Sequence, residues 1–251
     1  MKRILAAALL FGAVAAFSAL PASATHSWNG YHWARTANPF TIKLGDNVSG
    51  TWEGLLTTAA SDWSTSTVLD TTVVGGGTRP KPCKPTSGRV EVCSASYGNN
   101  GWLGLAQIWI TGGTHITQGV VKNNDYYFGD STYQYNNTAE MQHVICQEIG
   151  HTLGLDHQDE SGASLNTCMD YYHNTSASDT RSTHPNQHDY DELATIYAHL
   201  DSFSTIGAAS AGFLPDAVPS FAPATRLNDS TYVDDLGGGR KLVTYVIWTN
   251  Q

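Results

Sequence analysis

Positive charge is what this sequence has least of. Charged residues make up only 14% of the 251 residues, with 13 Lys and Arg against 22 Asp and Glu. A chain so short of cations repels phosphate, which argues against nucleic acid and anionic lipid as partners. Cysteine is scarce too. Cys83, Cys93, Cys146 and Cys168 include no CxxC pair, so a thiolate zinc site is not expected. Beyond the N-terminus no apolar run is long enough to span a bilayer, and no internal repeat is visible.

The N-terminus carries the one long apolar run. Lys2 and Arg3 precede an apolar stretch from Ile4 to Leu20, then Pro21 and the small residues Ala22-Ser23-Ala24. This reads as a secretory signal over residues 1–24, cleaved after Ala24, rather than a membrane anchor. Removing Lys2 and Arg3 leaves 11 basic against 22 acidic residues, a formal charge of −11. An even cysteine count in an exported chain suggests two disulfides. Of the three possible pairings we favour Cys83–Cys93, closing a Pro-rich loop, and Cys146–Cys168. The expected location is extracellular and the expected state a monomer.

Periodicity divides the rest. Alternation predicts a strand from Phe40 to Leu44, and further strands over Asp70–Val74, Arg89–Cys93, Leu103–Thr111 and near His115–Lys122. Helical spacing predicts Trp52–Thr65 capped by Ser49 or Thr51, a helix from Thr138 onward, and a last helix over Gln187–Leu200. A domain over 25–201 would be followed by an Ala/Ser/Pro-rich linker at 202–225. In the remaining 226–251, two strand-like runs flank Gly237-Gly238-Gly239, predicting a small hairpin packed on the main domain.

The helix beginning near Thr138 carries the chemistry. Residues four apart share one helix face, so Gln147 and His151 point the same way with Glu148 beside them. Gly154 lets the chain turn out of the helix, and His157 can swing back to the same point. Two ligands from a helix, one from the next turn and an open position suit a catalytic zinc. Glu148 would be the general base. His143 lies two turns before His151, about 12 Å along the axis, too far to share an ion.

This stretch resembles the metzincin signature H-E-x-x-H-x-x-G-x-x-H at Glu148, His151, Gly154 and His157. Cys168-Met169-Asp170-Tyr171 looks like that family's Met-turn. Tyr171 matches the position where astacin-like and serralysin-like members carry a metal- or oxyanion-contacting tyrosine. The order of elements from Phe40 to Leu200 is also similar. The resemblance implies an α+β fold with a mixed twisted sheet over an active-site helix, and a cleft between the sheet edge and the Met-turn. It also implies a secreted zinc endopeptidase with a peptide or protein substrate. The implied zinc ligands are His151, His157 and Gln147, the catalytic residues Glu148 and Tyr171, and the structural residues Gly154 and Met169. No calcium requirement is implied by any residue.

Gln147 stands where the signature has its first histidine, and its amide oxygen is a weaker ligand than imidazole. Three readings stay open: Gln147 ligates zinc, it holds a water on a two-histidine site, or the metal site is lost. The last reading yields the rival function, a non-catalytic scaffold binding a peptide or partner. A third class is a cell-surface structural protein contacting its partner through the hairpin. His26, His32, His115, His173, His184, His188 and His199 read as solvated or hydrogen-bonded residues. Asp156 and Asp159 read equally as supports of the ligand histidines or as surface carboxylates.

Overall fold

The computed structural model describes residues 25–207 and 224–250. The expected signal segment and most of the expected linker lie outside the described residues. The fold is α+β. A nine-stranded mixed sheet carries β1 (His32–Trp33), β2 (Phe40–Asn47), β3 (Leu69–Gly75), β4 (Val90–Ala95), β5 (Trp102–Thr111), β6 (His115–Asn124), β7 (Thr225–Arg226), β8 (Thr231–Gly237) and β9 (Arg240–Trp248). Among the described residues four helices accompany it: α1 (Thr51–Trp63), α2 (Asp125–Phe128), α3 (Thr138–Thr152) and α4 (Gln187–Ile196).

The sheet order is β3-β2-β4-β6-β5-β9-β8-β7, with β1 pairing the start of β6. The pairings among β3, β2, β4 and β6 are parallel, whereas β5, β9, β8 and β7 are joined antiparallel. The predicted strands all form. The helix starts shift: α1 begins after Gly50, with no side-chain cap, and α3 is capped by Asn137, whose side chain accepts from the Glu140 N–H. Asn137 presents its carbonyl one residue earlier than Thr138, which becomes the first helical residue. α4 stops at Ile196, short of Leu200.

The largest correction concerns the C-terminal hairpin. It is not an appendage laid on the domain. β9 pairs with β5 from Ile110↔Lys241 to Trp102↔Trp248, so it continues the main sheet at the edge where a cleft was expected. Its alternate residues Val243, Tyr245 and Ile247 join the main core, while Leu242 and Val246 fill two smaller clusters on the opposite face. Each such side chain stabilises its position by about 1.5–3 kcal/mol. The expected linker is shorter as well. The Thr205 N–H donates to the Ala34 carbonyl and the Gly207 N–H to the Gly88 carbonyl, so residues 202–207 lie on the domain.

α3 is buried from Ala139 to Thr152. The sheet covers one side, and α1 and the turn at Thr167–Tyr171 cover another. Trp63 of α1 donates its indole N–H to the Cys146 carbonyl at 3.1 Å. A Cβ placed on Gly150 would sit 2.4 Å from Met169 Sδ and 2.7 Å from the Trp63 ring, so these two side chains press directly on the helix backbone. Both expected disulfides form, and Cys146–Cys168 ties α3 to the turn that holds Met169. No helix among the described residues is long and apolar enough to cross a membrane.

The N-terminal segment locks the end of α3. Trp33 donates its indole N–H to the Thr152 carbonyl at 2.9 Å, and the Asp156 N–H donates to the His26 carbonyl. Gly154 has φ +103°, and a Cβ there would lie 2.3 Å from the Tyr31 carbonyl oxygen. That neighbour is backbone and cannot swing aside. Gly154→Ala is therefore expected to destabilise the fold by about 2 kcal/mol or more, measured by denaturant melts. A cost below half of that would mean the Tyr31 segment yields easily.

Candidate metal centre

Polar side chains should avoid the inside of a helix packed on all sides, because each costs free energy unless paired. Yet α3 buries Gln147, Glu148 and His151 at 0%, 0% and 1% exposure, and His157 follows at 7%. The turn at Gly154 returns the chain so that His151 and His157 meet. Their Nε2 atoms are 3.1 Å apart, with the rings nearly perpendicular.

The tautomers of both rings follow from their outer nitrogens. His151 Nδ1 donates to the Leu155 carbonyl at 2.9 Å, and His157 Nδ1 donates to Glu160 Oε1 at 3.0 Å. Each Nε2 is then bare. Two lone pairs facing at 3.1 Å repel unless a proton or a metal ion lies between them. Tetrahedral zinc with bonds of 2.0–2.1 Å sets its nitrogens about 3.3 Å apart, which matches. Burial, then the neighbouring His157, pushes His151 well below the usual histidine range, so it stays neutral.

Gln147 adds the third donor. Its Nε2 donates to the Cys168 and Asp170 carbonyls at 3.0 and 2.7 Å, which fixes the amide orientation. Its Oε1 is buried without a hydrogen-bond partner. Neither oxygen of Glu148 makes a hydrogen bond of normal geometry. Burial raises the Glu148 carboxyl well above the usual carboxylate range, and the nearby Ile247 N–H offsets this only in part. The two facing imidazole nitrogens could hold a divalent cation, and on the same helix Gln147 Oε1 and both Glu148 oxygens are buried without a hydrogen-bond partner.

Of the predicted site residues, His151, His157 and Tyr171 are placed together: the Tyr171 ring lies 5.2 Å from that of His157. Its hydroxyl accepts the Trp248 N–H at 2.9 Å, and burial pushes it up to about 12. Met169 lies beneath the helix, as described. His143 donates to the Asp170 carbonyl at 3.1 Å and so braces the turn from the far side. Asp159 contacts no ligand histidine; it accepts from Ser161. Asp156 accepts from the His157 backbone N–H. The residue that orients His157 is Glu160, which the sequence reading passed over. A ligand histidine needs an acceptor for its second nitrogen, and that requirement was the available signal.

The second unforeseen residue is Tyr245. Its ring stacks on His151 at 4.1 Å and 4°. With Ile247 beside Glu148 and Trp248 on Tyr171, β9 runs across the whole centre and seals it. A cleft of about 300 Å³ remains outside, lined by Glu160, Tyr171, Asn228, Asp229 and Ser230.

Glu140 anchors the opposite side. It accepts from His173 Nδ1 at 2.7 Å and lies 3.7 Å from His143 Nδ1. Burial alone would raise it, but these two histidines outweigh burial and hold it at about 2. A carboxyl depressed on folding stabilises the fold above its unfolded value of 4.5 and loses that contribution as pH falls towards 2. Glu140→Gln should cost roughly 3 kcal/mol at pH 7, shrinking towards nothing near pH 2. Urea melts across that range would show otherwise if the cost were constant with pH.

Glu148 has the opposite sign. Its raised value favours the fold only while it is protonated, so stability is full below 4.5 and is lost as pH rises through the folded value. In chelator-treated protein, Glu148→Gln should melt higher than the unmodified chain at pH 8 and equally at pH 4. One kcal/mol corresponds to about 2–4 °C here. Equal melting at both values would show that the carboxylate is already accommodated. In comparisons with known proteins, the chain matches no family model and no curated sequence.

Proposed function

We propose that this protein is a secreted zinc-dependent endopeptidase of the metzincin type, described here with its own C-terminal strand across the centre. The observation that carries the reading is the pair of Nε2 atoms of His151 and His157, facing each other 3.1 Å apart, with the buried and unpartnered Oε1 of Gln147 and carboxylate of Glu148 on the same helix. His151, His157 and Gln147 would hold the ion. Zinc supplies Lewis acidity to the scissile carbonyl and makes an attacking water acidic enough at neutral pH.

The chain's own residues do the rest. Glu148 takes the proton of the attacking water onto its carboxylate and delivers it to the leaving amine. Its dry surroundings favour the protonated carboxyl, which helps it accept that proton. Tyr171 donates its hydroxyl hydrogen to the developing oxyanion, a role supported by its ring lying against His157. β5 offers an antiparallel edge on which an extended peptide can be held by backbone hydrogen bonds. β9 holds that edge, and the Tyr245 ring that it lays on His151 must move aside for a substrate to reach the centre. Gln147 supplies a neutral oxygen, so the ion is held more weakly than by three imidazoles.

The sealed centre also favours the rival reading, a scaffold without catalysis that binds a partner. One experiment separates them. Zinc content and casein hydrolysis are measured for the full chain, Tyr245→Ala, and Tyr245→Ala with Glu148→Gln. Uncovering His151 should raise hydrolysis, and the added Glu148→Gln should lower it again by about 10²-fold or more. Gln147→His should tighten zinc binding. If Tyr245→Ala hydrolyses no more casein with Glu148 than without it, the peptidase reading is wrong and the scaffold reading stands.

A further inference from the structure

A second set of histidines converges away from α3. His32 on β1, with His199 and Asp201 beyond α4, points three donor atoms at one place. His32 Nε2 and His199 Nε2 are 3.1 Å apart. Asp201 Oδ1 is 3.6 Å from the first and 3.9 Å from the second. These spacings bracket the roughly 3.3 Å expected between ligands of a tetrahedral zinc. His115, at the start of β6, brings a fourth donor: its Nε2 is 3.3 Å from the same Asp201 oxygen.

Two of these donors, His32 and Asp201, are held from behind. His32 Nδ1 donates to the Gly30 carbonyl at 2.7 Å, which leaves its Nε2 bare. Asp201 Oδ2 accepts the backbone N–H and the guanidinium of Arg35, each at 3.1 Å, which turns Oδ1 towards the rings. Such outer contacts are how ligand histidines and carboxylates are oriented in metal sites. In the metal-free cluster His199 Nε2 can donate to the bare His32 Nε2 at 3.1 Å and His115 Nε2 to Asp201 Oδ1 at 3.3 Å, and a bound ion would take the place of those protons. A bare His32 Nε2 has no proton for Asp201 Oδ1, so two acceptors face each other at 3.6 Å.

Other groupings do not compete. At the grouping of His26, His188 and Asp189, His26 Nε2 and Asp189 Oδ1 already meet directly in a buried hydrogen bond at 3.0 Å. Asp156, His157 and Glu160 belong to the first centre.

We propose that His32, His199 and Asp201, with His115 in reach, form a second divalent-metal site selective for zinc-like ions. It shares no residue with the first. Its ligands come from the N-terminal strand and from the chain leaving α4, so an ion there staples the start of the path towards the C-terminal hairpin to the sheet. Such a site is structural, and its half-exposed His199 gives ions a way in.

The test uses the full chain with zinc alone and with cobalt(II) as a spectroscopic probe. In protein carrying His151→Ala and His157→Ala, one zinc ion per chain should remain bound and should raise the melting temperature over chelator-treated protein. Cobalt(II) should give the visible absorption of a tetrahedral site. Adding His199→Ala should abolish both. The same substitution in the otherwise natural chain should lower zinc content by one ion and leave chelator-treated melting unchanged, which guards against misfolding of the multiple variant. The proposal is overturned if the His151/His157 variant binds no zinc while correctly folded, or if His199→Ala leaves zinc content and the cobalt spectrum intact. A chain that loses all zinc on His199→Ala but none on the His151 and His157 substitutions would support this site and sink the peptidase reading.

Discussion

The Nδ1 contacts of His151 with the Leu155 carbonyl and of His157 with Glu160 decide where the imidazole protons sit. Once those protons point outward, two lone pairs must face inward, and the surrounding chain holds them there. Gly154 supplies the reversal that brings His157 back. The Tyr31 carbonyl closes on that reversal, and the Trp33 indole ties it to Thr152. An N-terminal segment with no periodicity of its own thus positions His157, which lies beyond the end of α3.

α3 bears the cost of this arrangement. A helix meant only for packing would present apolar residues to the sheet, α1 and the Met169 turn alike. This one buries an amide, a carboxylate and an imidazole with few partners. The Cys146–Cys168 disulfide, the Gln147 amide and His143 all bind it to the same turn, two of them through the Asp170 carbonyl. That redundancy keeps a poorly satisfied interior rigid, and pre-organised groups of this kind commonly trade stability for chemistry.

Much of this was legible in the sequence. The strands alternate and the helices repeat, so their existence was plain, while helix starts moved by a residue because Asn137 and Thr138 can both cap. The pattern from Gln147 to His157 carried its own geometry, since helical spacing and Gly154 fix where the side chains point. Two things were not legible. The pairing of β9 with β5 joins residues far apart in sequence, and the hairpin's own turn says nothing about which edge it meets. A hint was present in Leu242–Trp248, whose near-continuous apolar run suits a strand covered on both faces. His32, His115, His199 and Asp201 come from three separate elements, so no local spacing could group them.

β9 is also the strand that the ribosome makes after every other element of the centre. β5 exists as an open edge until the chain has been extended by more than a hundred residues. Pairings so distant in sequence form late and slowly. His151, His157, Glu148 and the turn with Met169 can therefore be assembled before their cover arrives. The history of a single molecule would then include an interval, between synthesis of α3 and completion of the sheet, in which the centre faces solvent.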